Sequence, residues 1–127
     1  MKYLYLLFLF TTTTLLSQTD QKIYDIIEAV SEDRIKADVK TLTEFGTRNT
    51  FSDTLSASRG IGAARRWIKN TFEDISKDCD DCIDVFYQKD LVTTQMSKRV
   101  PRDTWVVNVV AIQKGTKYPN KYVIMSG

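Results

Sequence analysis

Near its acidic middle, Lys77 to Asp84, the chain changes hydrophobic period, and that change limits the folds open to it. Before this point, Ile61, Ala64, Ile68, Phe72 and Ile75 recur at spacings of three, four, four and three. Such spacing lines one face of a helix. After it, Ile83, Val85 and Tyr87 alternate with Asp84, Phe86 and Gln88. That is the period of a strand. The reading is therefore helices first and strands second, within one fold that holds both.

The rest of the chain fits this order. Ile23, Ile26, Ile27 and Val30 suggest a first short helix. Ser31 is placed as an N-cap, with Glu32 and Asp33 in the first turn to favour the helix dipole. Ile35, Val39, Leu42 and Phe45 then carry a second stripe, and Gly46 can end that helix in the left-handed conformation. Whether these pieces are two helices or one kinked helix stays open. Thr47 to Ser58 is polar and reads as a long loop, with Ser58 expected to cap the next helix. Gly60 and Gly62 either weaken its first turn or admit another backbone. A strand is expected from about Ile83 to Leu91, with an extension to Met96 left open. A turn follows at Pro101 to Asp103. Trp105 to Ile112 is a second strand, apolar on both faces except at Asn108, and can pair antiparallel with the first. After a turn at Gly115 to Asn120, Tyr122 to Met125 reads as a third, buried strand.

The first 17 residues read as a signal peptide. Lys2 supplies a positive charge, and Tyr3 to Phe10 is continuously apolar. The run is shorter than the ~20 apolar residues of a bilayer span. Cleavage near Ser17 or Gln18 is expected, with an uncleaved anchor as the alternative. The mature part, residues 18–127, is then one incomplete domain, secreted or periplasmic, with no membrane attachment after cleavage. Lys plus Arg total 18 and Asp plus Glu total 16. That balance gives no reason to expect nucleic acid. Arg65-Arg66 and Lys98-Arg99 read as solvated surface pairs.

The run F-G-T-R-N-T (Phe45 to Thr50) is followed by S-A-S-R-G-I-G-A-A-R-R-W-I (Ser56 to Ile68). T-W-V-V-N-V-V-A (Thr104 to Ala111) and K-Y-V-I-M-S-G (Lys121 to Gly127) come later. Together they resemble the entry to secreted zinc aminopeptidases of metallopeptidase family 28, over roughly residues 31 to 127. The resemblance implies helices packed on the first strands of a mixed sheet, within a zinc-exopeptidase-like α/β/α sandwich of the phosphorylase/hydrolase-like kind. It implies two zinc ions and a peptide substrate for a full-length protein. The family's first metal ligand is a His in an H-x-D motif directly after the Ser-Gly matched by Ser126 and Gly127. The later ligands and the catalytic Glu lie further on. None maps onto a residue here, so no catalytic, cofactor or metal residue is assigned, and the fragment is expected to bind no zinc and to be inactive. Two alternatives share the fold: a non-catalytic binding or structural module, and a glutaminyl cyclase. A small self-sufficient secreted protein is a third. It conflicts with a buried strand at the chain's end, whose open edge would favour self-association.

The chain has no His, so the usual His-containing zinc sites cannot be built from it. Cys79 and Cys82 are spaced C-x-x-C. In an exported chain with two cysteines a local disulfide is the preferred reading. A redox pair, half a zinc site and free thiols are the alternatives. Asp78, Asp80, Asp81 and Asp84 lack the Gly and closing Glu of a calcium loop, and read as a solvated acidic loop. Arg48 is expected in a structural ion pair. Asn108 is expected to bond to neighbouring backbone. Trp67 and Trp105 are expected in the core.

Overall fold

The computed structural model describes residues 20–127. The expected signal peptide lies outside them. The chain divides into two compact units, Met1–Val39 and Lys40–Gly127.

The described part of the first unit begins with α1, Gln21–Glu28. Asp20 caps it, its carboxylate accepting from the Lys22 N–H at 3.0 Å. After a break at Ala29 to Ser31, α2 runs from Glu32 to Glu44 and crosses the boundary between the units. These are two helices, not one kinked helix. Ser31 is the cap of α2, accepting from the Arg34 N–H at 3.2 Å. The first-turn acids Glu32 and Asp33 lie where the dipole favours them. Glu32 also pairs with Lys36 at 2.8 Å, in the favourable order, for a few tenths of a kcal/mol.

In the second unit, Gly46 has φ +76° and turns the chain out of α2, as its residue type predicts. The loop after it is held by its own short polar side chains. Asn49 Oδ1 accepts from the Phe51 N–H, and Asp53 Oδ1 from those of Leu55 and Ser56. Helix α3 then spans Gly60–Lys77. Strands β1 (Ile83–Val92) and β2 (Thr104–Gln113) pair antiparallel, with Val85 opposite Ala111 and Tyr87 opposite Val109. The connection between them is closed by Asp103 Oδ1, which accepts from the Thr94 N–H at 2.8 Å.

Helix α3 packs on both strands. It lies over the face that carries Ile83, Val85 and Tyr87, the half-buried set of β1. The Lys69 ammonium sits 5.9 Å from the Tyr87 ring centroid. On the other sheet face Phe86 and Ile112 are exposed. The described residues are thus mixed helix and sheet, in keeping with α/β, with a two-stranded antiparallel sheet. The buried apolar side chains among them are Ala63 (3% exposed) and Ala64 (1%), and none of the large ones is fully buried.

Three expectations need correction. Tyr122 to Met125 is not a strand: the segment is unpaired, and Val123 is 92% exposed. A strand is defined by a neighbour that takes its backbone groups, and no described segment lies beside this one. Ser58 is not the cap of α3; Arg59 holds that position without a side-chain bond. Strand β1 ends at Val92, close to the expected Leu91, and the extension left open does not form: Met96 is exposed in the turn that follows. Trp105 is 56% exposed, because no described element covers it. Trp67 is half-buried and meets Phe45 with ring centroids 6.4 Å apart.

Candidate functional site

The N-terminus of α3 is satisfied by the loop before it instead of by a cap next to it. The Gly60 N–H donates to the Phe45 carbonyl, the Ile61 N–H to Ser52 Oγ, and the Gly62 N–H to the Asp53 carbonyl, at 2.9–3.1 Å. Three of the donors that a helix start leaves open are closed in this way. The cost is steric. A Cβ on Gly60 would stand 2.4 Å from the Asp53 oxygen, and one on Gly62 would stand 2.1 Å from the Thr54 oxygen. Gly60 also has φ +78°. Both glycines are buried, so close approach, not fraying, accounts for them.

Arg66 completes the clasp. Its guanidinium donates to the Thr54 carbonyl at 3.0 Å and to the Ser56 carbonyl. Asp53 is held below the ordinary carboxylate range by the Ser56 and Leu55 N–H groups first, and by Arg66 in lesser part.

Against this loop lies an open cavity of about 530 Å³. Three cations line it: Arg65 from α3, Lys89 from β1, and Arg102 before β2. Thr50, Ser52, Thr54 and Thr104 are added by the loop and strand end, and Trp105 and Val107 form an apolar wall. Asp103 is the single carboxylate, already engaged with Thr94. Arg102 is fixed by a 2.7 Å bond to the Phe51 carbonyl and lies 5.9 Å from that ring. The Nε of Arg65 is buried without a hydrogen-bond partner. Burial lowers the pKa of Arg65, with Tyr87 acting weakly the other way. Of the Arg65-Arg66 pair, Arg66 is exposed, as a surface pair predicts, and clasps the loop, whereas Arg65 is half-buried and lines the cavity.

At the other end of α3, Ser76 is 4% exposed and joins the helix to β1. Its hydroxyl accepts from the Ile83 N–H at 3.0 Å and donates to the Ile83 carbonyl at 2.9 Å. Asp80 and Asp81 turn the chain with φ of 56° and 58°, and the Asp81 N–H reaches the Ser76 carbonyl. Within this turn the Sγ atoms of Cys79 and Cys82 are bonded to each other. Nothing in the sequence singles out Ser76: the signal is a small polar residue on the inner side of an amphipathic helix.

The residues present do not suit a zinc ion. The chain has no imidazole, and both sulfurs are in a disulfide. Among the described residues no three His, Cys, Asp or Glu side chains converge. No catalytic step is therefore derived from these residues. Arg48 is exposed and outside the ion pairs found among the described residues. The Asn108 amide bonds to Gln88 Oε1 across the strands at 3.2 Å, not to backbone. No described helix is long and apolar enough to cross a membrane.

No protein-family model matches the chain, and no solved structure does. Curated relatives do match. A protein of Pyrenophora tritici-repentis named "Probable zinc metalloprotease" is 28% identical over 108 residues. The alignment takes 85% of this chain and 25% of that protein. A Leptosphaeria maculans protein of the same description is 32% identical over the same shares. One from Phaeosphaeria nodorum is 29% identical, over 85% of this chain and 22% of the relative. The chain thus spans about a quarter of these relatives, and over most of its own length it is similar to proteins named as zinc metalloproteases.

Proposed function

We propose that the chain is the N-terminal part of an exported zinc aminopeptidase of metallopeptidase family 28, of the α/β/α sandwich kind. The observation that carries this reading is the similarity over 85% of the chain to proteins named as zinc metalloproteases about four times its aligned length. The thin core supports it: a unit with two small buried apolar residues among those described gains cover from further chain. The Cys79–Cys82 bond accords with an oxidising compartment and with a signal peptide at residues 1–17. In this reading the described residues are scaffold. Two zinc ions, their ligands and the general base belong to the remainder of the protein, which removes N-terminal residues from peptides.

The test is to read the source DNA through the codon for Gly127 and to express the whole frame. The expected product continues into His-x-Asp, carries two zinc ions per chain by mass spectrometry, and releases free N-terminal amino acids from peptides. A product that closes N-terminal Gln into a ring instead would make it a glutaminyl cyclase. A frame without metal ligands would leave a non-catalytic module.

A further inference from the structure

We propose that the cavity between α3, the Asn49–Thr54 loop and the start of β2 is an oxyanion-binding site, taking a carboxylate or phosphate carried on a partly apolar body. Arg65, Lys89 and Arg102 converge on it against one carboxylate that is already bonded elsewhere. Among the described residues none of the three forms an ion pair. The lining carries three cations against one carboxylate, and such an excess of positive charge draws anions. The buried, unpartnered Nε of Arg65 is the second observation. A buried donor left unpaired is costly, and guanidinium forks suit oxyanions. Thr50, Thr54 and Thr104 can supply further donors, the Ser52 hydroxyl being spent on the Asn49 carbonyl, and Trp105 and Val107 offer the attached body an apolar wall. The loop carries no His, Cys or Glu, and its one Asp turns its carboxylate back to its own backbone. The site therefore selects anions over cations. This inference does not depend on the peptidase reading.

The full 127-residue chain is titrated at constant ionic strength, in chloride as reference, with two probes. One is inorganic phosphate. The other is an acetylated, amidated Ala-Glu-Ala tripeptide, with Ala-Gln-Ala as its neutral control. The readouts are the Arg65 Nε–H resonance and the thermal midpoint. Either probe is expected to move that resonance and raise the midpoint by several degrees. The neutral peptide does neither. Lys89→Gln, an exposed change on the cavity rim, weakens the response about tenfold, as loss of one charge-assisted bond predicts. A response to phosphate alone assigns a free oxyanion, and a response to the acidic peptide assigns a polypeptide carboxylate. If both probes leave Arg65 unmoved, or Lys89→Gln responds like the natural chain, the proposal is overturned. Where the natural chain self-associates, Val123→Lys with Ile124→Lys serves as the background.

Discussion

The start of α3 and the segment Tyr122 to Met125 are both rich in residues suited to burial, yet one is buried and the other is not. At the start of α3 the partner is the loop backbone, so close that Gly60 and Gly62 have no room for a side chain. At Tyr122 to Met125 no partner is present among the described residues, and the side chains are three-quarters or more exposed. Apolarity states a preference for burial; only a complementary surface fulfils it.

Five substitutions, one of them a control, test that contrast. Gly62→Ala strikes the close approach to the Thr54 oxygen and is expected to lower stability by about 3 kcal/mol in urea unfolding. Gly115→Ala is its control, since a Cβ there meets nothing closer than 3.6 Å. Equal effects at the two glycines would show that the clasp is not tight. Ser76→Ala removes both bonds to Ile83 at the other end of α3, and is expected to cost roughly 1–3 kcal/mol. Hydrogen exchange at the start of β1 should quicken in that variant. The smallest change in stability is expected at the exposed segment. Val123→Lys with Ile124→Lys should leave the unfolding free energy within about 0.5 kcal/mol per site. The same pair should shift size-exclusion elution from self-associated to monomeric, because the natural segment exposes a contiguous apolar run. A natural chain that elutes as a monodisperse monomer would remove the self-association.

Much of the local structure was legible. The stripe Ile61 to Ile75 marked α3, the alternation from Ile83 marked β1, and Ser31 and Gly46 marked the bounds of α2. Each of these depends on neighbours a few positions away. The clasp was half legible: two glycines at a helix start allowed close approach, but nothing named Asp53 and Thr54 as what approaches. The cationic cavity was not legible at all. Arg65, Lys89 and Arg102 stand on different elements, and only the packing of α3 on the hairpin and the path of the loop bring them together. Arg65-Arg66 looked like surface because adjacent residues on a helix point some 100° apart, and the sequence does not say which of them turns inward.

The sequence by itself determined the bounds of α2, the stripe of α3 and the period of the paired strands, since backbone preference and side-chain spacing are local properties. It also determined that no histidine ligand can come from this chain. Tertiary structure decided which apolar surfaces found cover, which carbonyls capped α3, and which charges met. Those depend on groups far apart in the chain, whose meeting is set by packing and by the free energy of removing surface from water.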